Sequence, residues 1–365
     1  MWDTIQKLEY RTKANLVQAK TELEERLTDR LELSLPGLCG EKLYLTGVSR
    51  LQQKASELEQ IYQQLPSNSG MTDIIVLDAW ASATIEGART TVQQVRQSFT
   101  QPKTKDDRMV INTVKAANFS YRNPITPKNI RRLWESIVDG VCENENLKGT
   151  LYRSGPVQIA SQDRTIHEPA HFEEVPELMN RWFAFRDGST ENVLVHSFIC
   201  HFYFVYVHPF CDGNGRAARI LNASQLYHSG YKKIKRLPLS SSINSHLNGY
   251  YRSLTDSEIR IIGKDGYWLD LSPFVSYMLE VFEDCLINAA LSKNELTETE
   301  AKLLERMNRV GLNAEITVNK AKDILACSES SARRVLLNLV DKGYLSVDSS
   351  QKTYVYRLQQ HLPDV

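Results

Sequence analysis

Paired cysteines, surplus charge and long uncharged apolar runs are all missing from this sequence, and each absence removes a class of protein. The six cysteines, Cys39, Cys142, Cys200, Cys211, Cys285 and Cys327, are scattered with no CxxC pair and no metal-ligand spacing. Reduced thiols in an intracellular protein are the expectation. Basic and acidic side chains number 44 each, a formal net charge of +0. A balanced chain has no general attraction to nucleic acid or anionic membranes, so any such contact must be local. The stretch Met1–Lys7 has no apolar signal core, and no later run is long and uncharged enough to cross a bilayer. A soluble, cytoplasmic protein without membrane contact is expected.

What the 365 residues do contain is 42% hydrophobic side chains, ample for a buried core in two or three domains. The most informative window is His208-Pro209-Phe210-Cys211-Asp212-Gly213-Asn214-Gly215-Arg216-Ala217-Ala218-Arg219. It follows the apolar run Val193–Val207 and opens another helix-like run, so it reads as a loop between two buried elements. His208 can accept a proton near neutral pH. Gly213 and Gly215 let the backbone approach an anion, and the N-terminus of the following helix aims unpaired N–H groups at the same place. Arg216 and Arg219 lie three apart, share a helix face and offer planar donor forks suited to phosphate oxygens. Asp212 can hold a magnesium ion, which takes one or two protein carboxylates and completes its shell with phosphates and water. The window is a phosphate site with a base beside it.

It also resembles the HPFx(D/E)GNGRxxR signature of the Fic family, matching at every specified position. Cys211 falls at the unspecified one, so catalytic use of its thiol is not expected. The resemblance implies a mainly α fold, a Fic-type helical bundle with a small β-hairpin flap. It also implies transfer of AMP from ATP to a Ser, Thr or Tyr hydroxyl of a protein. His208 would be the base, Asp212 the Mg²⁺ ligand and the Gly213–Gly215 backbone the anion hole. Asn214 would orient the α-phosphate, and Arg216 and Arg219 would hold the outer phosphates.

Upstream, the stretch from Thr72 to Thr91 reads as a helix capped by Thr72 or Asp73, with Ile75, Leu77 and Trp80 on its apolar face and Gly87 at its end. Ser82 and Glu86 are four apart and share a face. A glutamate in the last turn opposes the negative end of the helix dipole, which calls for a cationic partner. Ser82, Glu86 and Gly87 resemble the (S/T)xxxE(G/N) inhibitory motif of Fic proteins, in which the glutamate pairs with the second signature arginine, here Arg219. An arginine so engaged cannot hold the γ-phosphate.

The remaining segments carry less chemistry. Helices are expected from Trp2 to about Asp29 and over Leu51–Leu65, with Pro36, Gly37 and Gly40 breaking the chain between them and scaffold or homodimer contact as their role. Further helices are expected over Met109–Ala117, from Thr126 to about Val141, and over Glu173–Arg186. Residues 153–170 read as a β-hairpin, which in Fic proteins is a flap that pairs its backbone with the target protein. His167 within it is expected to be a flap or surface residue, and His196 and His201 to be packed and hydrogen-bonded. Tyr251, in a Tyr-Tyr pair that also occurs in Fic domains, is placed near the nucleotide by that resemblance.

Residues 296–358 give helix, helix and two strands, an order that resembles a winged helix-turn-helix with Arg333 and Arg334 on the recognition helix. Two arginines beside Glu329 and Asp341 make a weak basic face, so protein interaction or dimerisation is preferred there over DNA contact. The expected domains are a helical region at 1–100 containing the inhibitory helix, a catalytic core at 101–290 and a winged-helix-like domain at 291–365. Alternatives to AMP transfer are removal of AMP from a modified protein and a nucleotide-responsive transcription regulator. Self-modification is also open.

Overall fold

The computed structural model describes residues 3–13, 17–65, 71–142, 150–161, 164–188, 192–291, 297–310, 315–342, 344–348 and 354–358. The hairpin turn at 162–163, Gly343, Lys352 and Thr353 lie outside the described residues. The chain divides into two compact units, Met1–Ile287 and Asn288–Val365. The N-terminal helices and the signature loop therefore share a unit.

The first unit opens with α1 (Ile5–Lys13), α2 (Val17–Thr28), β1 (Arg30–Pro36), β2 (Lys42–Thr46) and α3 (Val48–Gln64). The strands fall where only chain breaks were expected. Leu33 and Leu35 are buried between exposed neighbours, the period-2 pattern of a half-buried strand. Next come α4 (Met71–Ile85), α5 (Val92–Gln97), α6 (Lys105–Arg122) and α7 (Pro127–Val138). Thr126 caps α7 by accepting from Asn129 N at 3.2 Å, with Pro127 in the first turn. Ile130, Leu133, Trp134 and Ile137 form its buried stripe.

The expected hairpin is present as β3 (Ile159–Ser161) and β4 (Arg164–His167), antiparallel with a register shift after Ile159. Then follow α8 (Val175–Arg186), α9 (Val193–Val207), α10 (Asn214–His228), a 3₁₀ turn (Lys232–Arg236), α11 (Leu239–Ser245) and α12 (Leu247–Ser257). Asn192 caps α9, accepting from Val195 N at 3.1 Å, and the helix is buried on nearly every side, as its composition demands. The chain turns at His246, which separates α11 from α12. The unit closes with β5 (Ile261–Gly263), β6 (Gly266–Asp270) and α13 (Ser272–Leu291). Sheet order is β1-β2-β6-β5, with β2 and β6 parallel, so the N-terminal hairpin joins a hairpin from the far end of the unit.

In the second unit, α14 (Glu298–Val310), β7 (Glu315–Ile316), α15 (Val318–Leu325), α16 (Glu329–Asp341), β8 (Leu345–Asp348) and β9 (Val355–Leu358) enclose their own core of Leu303, Ala321, Leu336 and Leu345. Its sheet order is β7-β9-β8. Among the described residues no helix is long and apolar enough to cross a membrane.

A buried polar cluster ties the two ends of the first unit together. Arg26 on α2 donates to Asp270 Oδ2 at 2.6 Å and to Thr46 Oγ1 at 2.9 Å, while Ser272 N donates to Asp270 Oδ1 at 3.1 Å. Burial lowers the Arg26 pKa, and Asp270 opposes that shift. Removing one partner leaves a buried charge without compensation. Asp270→Asn is expected to destabilise the fold by about 3 kcal/mol, measured by chemical denaturation, whereas the paired change Arg26→Met/Asp270→Leu costs less.

Candidate active site

The end of α9 delivers His208 in the left-handed region, at φ 55° and ψ 63°. A non-glycine residue there carries strain of about 1–2 kcal/mol, which neighbouring bonds must offset. Arg153, just before the flap strands, supplies several. Its Nε donates to His208 O at 2.8 Å, its backbone N to Pro209 O at 2.9 Å, and its other nitrogens to Gly155 O and Ala170 O. Nothing in the residue pattern singles out Arg153.

The His208 ring lies with Nδ1 3.2 Å from Val205 O. A carbonyl only accepts, so Nδ1 carries the hydrogen and Nε2 keeps the lone pair. Burial pushes the imidazole pKa down to about 4, partly opposed by the Val205 carbonyl and the Glu86 carboxylate. His208 is therefore neutral well below pH 6.5, a correction to the unperturbed value expected for an open loop.

Beyond Phe210 the loop folds on itself. Asn214 Oδ1 accepts from Phe210 N at 2.9 Å and its Nδ2 donates to Phe210 O at 2.7 Å. The buried Asn214 amide thus shapes the loop instead of standing open toward a phosphate, as the resemblance implied. Trp134 stacks on Phe210 at 4.9 Å and donates to Asp212 O at 2.8 Å. Gly213 takes φ 77°, and a Cβ there would lie 3.0 Å from Ile137 Cγ2. The loop needs glycine at this position for conformation and for space.

The two signature arginines are not equivalent. Arg216 is fully buried beneath the loop, 3.3 Å from Ile137 O and 3.5 Å from Asp212 Oδ1. Burial lowers its pKa despite the Asp212 charge. Arg216 braces the loop against α7, a role the sequence does not distinguish from that of Arg219. Asp212 remains 47% exposed at the loop mouth. Among the described residues no group of three His, Cys, Asp or Glu side chains could hold a metal. A lone exposed carboxylate beside a phosphate site still fits magnesium, which completes its shell with substrate oxygens and water.

Arg219 meets α4. Its Nε donates to Ser82 Oγ at 2.9 Å, and NH2 donates to Ser82 O at 2.9 Å and to Glu86 Oε1 at 2.7 Å. Burial, the largest single influence, lowers the Arg219 pKa, but the charge and hydrogen bond of Glu86 together with Tyr250 and Tyr251 outweigh it and the net shift is upward. A Cβ added to Gly215 would collide with Glu86 Oε1 and lie 3.2 Å from Arg219 NH1. The carboxylate therefore rests against the glycine loop at the start of α10, where an anion would sit.

The helix that carries Glu86 is anchored at several points. Ala88 N donates to Ala83 O and Gly87 N to Thr84 O, with Gly87 at φ 90°, a Schellman ending that aims Glu86 away from the helix. Tyr251 Oη donates to Ile85 O at 3.3 Å. Asp78 Oδ1 accepts from Ser240 N at 2.6 Å at the start of α11, and burial raises the Asp78 pKa to about 6. Val76, Ala79 and Ala83 form the buried face of α4, whereas Leu77, expected there, is exposed. Met71 is already helical, so Thr72 and Asp73 lie within the helix and not at its cap. Both packed histidines are as expected. His196 stacks on Phe185, and His201, with its pKa pushed by burial down to about 3, lies 3.1 Å from Tyr250 Oη. All six cysteines are free.

Comparison with known proteins points to one family. A sequence model of the Fic/DOC family matches residues 124–226. The chain is 31% identical over 88 residues to a protein adenylyltransferase Fic of Nematostella vectensis, covering 24% of this chain and 20% of the relative. It is 25% identical over 190 residues to the protein of that name from Drosophila yakuba, covering 51% and 34%. The chain thus spans about a third or less of these curated relatives. The fold is similar to a Fic family protein from Desulfovibrio desulfuricans G20, with TM-score 0.57, 22% identity, and 87% of this chain and 97% of that one covered. A Fic domain containing signaling protein from Bacteroides thetaiotaomicron VPI-5482 gives TM-score 0.52 at 20% identity, with 67% and 100% covered. With its signature loop held between two buried helices, this chain carries a domain of the Fic/DOC family at residues 124–226.

Proposed function

We propose that the protein transfers AMP from ATP to a hydroxyl side chain of a target protein, and that Glu86 restrains this transfer by occupying Arg219. The observation that carries the reading is the Glu86 carboxylate, 2.7 Å from Arg219 and against Gly215, beside a neutral histidine with its lone pair on Nε2.

His208 Nε2 takes the proton from the target hydroxyl. The hydroxyl oxygen bonds to the α-phosphorus in line, the bond from that phosphorus to the bridging oxygen breaks, and pyrophosphate leaves. Backbone N–H groups around Gly213–Gly215 and the start of α10 stabilise charge on the phosphate oxygens. Arg219, once released, holds the γ-phosphate, while Arg216 and Asn214 keep the loop in shape. Magnesium held by Asp212 and the phosphates would neutralise part of their charge when bound. The β3–β4 flap supplies an edge for an extended target segment.

Removal of AMP from a modified protein would use the same cleft, with Glu86 orienting a water. The two activities respond oppositely to loss of Glu86.

With α-labelled ATP and Mg²⁺, Glu86→Gly is expected to label protein at least about tenfold faster than wild type, and Glu86→Gly/His208→Ala not at all. Ser82→Ala, which removes one acceptor from Arg219 but leaves the carboxylate, should fall between wild type and Glu86→Gly. Equal labelling by wild type and Glu86→Gly would refute the restraint.

The pH profile offers a separate check. His208 must be neutral to act as base, and its lowered pKa keeps it so until the solution is quite acidic. Transfer by Glu86→Gly should stay level from pH 8 down to about 5 and fall only below that. An acid limb centred near 6.5 would show that the histidine is not desolvated as described.

A further inference from the structure

His167, expected as a flap or surface residue, ends β4 of the flap, but its ring is buried, with 7% of the side chain exposed. Nε2 lies 2.8 Å from Tyr206 O and Nδ1 lies 2.7 Å from Glu258 Oε2. The carbonyl can only accept, so Nε2 carries a hydrogen. The ring is thus held in position from both of its nitrogens. Glu258 caps the end of α12, so the bridge spans three elements: the flap, α12 and α9.

Tyr206 is two residues before His208 and belongs to the last turn of α9, whose carbonyls lack helical partners. Three neighbouring carbonyls of that turn and loop have partners as well. Val205 O faces the His208 ring, and His208 O and Pro209 O accept from Arg153. Three of these four carbonyls are therefore held from residues 153–167. Such partners orient the group that does the chemistry without touching substrate.

We propose that His167, clamped by Glu258, is a positioning residue for AMP transfer, holding the last turn of α9 from the flap and so setting where His208 presents Nε2. This rests on the adenylyl-transfer reading, and it makes the flap a support for the base as well as an edge for the target.

In the Glu86→Gly background, His167→Ala should lower kcat by about 10- to 100-fold, the scale of a small misplacement of a reacting group, with KM for ATP within about twofold. His167→Gln places an amide nitrogen near the position of Nε2, restores the bond to Tyr206 O and should recover most of kcat. Glu258→Ala should also lose kcat, and His167→Ala/Glu258→Ala should fall no further than His167→Ala, because residues that act as a unit are not additive. The proposal is overturned if His167→Ala keeps kcat within about twofold of its parent or if the two single losses add in the double variant. Should His167→Ala fail to fold, Glu258→Ala decides: lost kcat with unchanged KM supports the role, and unchanged kcat removes it. If Glu86→Gly itself transfers no AMP, the adenylyl-transfer reading falls separately. The ¹⁵N signals of the His208 ring then decide, since a change in His167→Ala supports positioning and identical signals overturn it.

Discussion

The guanidinium of Arg219 is buried on α10, and a buried cation must be matched by anions or acceptors wherever the fold leaves room for them. Here much of the matching comes from the end of α4: the Ser82 hydroxyl and carbonyl and the Glu86 carboxylate just past the helix. Much of the remaining cleft follows from that demand. The Schellman ending at Gly87 turns Glu86 toward the arginine, the Asp78 contact fixes the body of the helix, and glycine at 215 gives the carboxylate room against the loop. A nucleotide triphosphate offers the same arginine a different anion. Under the proposed restraint, the inhibited and active states would differ in which anion Arg219 holds, and a change of a few kcal/mol would be enough to exchange them.

A second constraint is the left-handed turn at His208. It aims the ring back at Val205 O, fixes the tautomer and starts the loop that ends at α10. The turn is supported by neighbours that are remote in sequence, with Arg153 and His167 on one side and Trp134 beneath Phe210 and Asp212 on the other. Burial that keeps His208 neutral and bonds that hold its backbone therefore arise from the same packing.

Much of this can be read from the residues. The signature window, α9 with its largely apolar, uncharged composition, the Thr126-Pro127 helix start and the Ser82–Glu86 spacing each carry a local signal that the fold leaves intact. Other features depend on partners distant in the chain. Arg216 and Arg219 are alike as letters, and only the approach of α7 to one and α4 to the other separates a brace under the loop from the partner of Glu86. His167 looks peripheral in sequence because Glu258 and Tyr206 lie 91 and 39 residues away. The β1–β2 hairpin is legible in the alternation of Leu33 and Leu35, but the chain breakers beside it point equally to a loop. Its pairing with β6, more than 200 residues on, leaves no trace in any local window.

Calorimetric titration of ATP and ADP against wild type and Glu86→Gly, with Mg²⁺ present, tests the competition for Arg219 most directly. If Glu86 and the γ-phosphate share that guanidinium, the preference for ATP over ADP is small in wild type and rises by about tenfold or more in Glu86→Gly, the scale of one charge-assisted hydrogen bond. An identical ATP-to-ADP ratio of Kd values in the two proteins would contradict the account, because the γ-phosphate would then benefit nothing from the departure of Glu86.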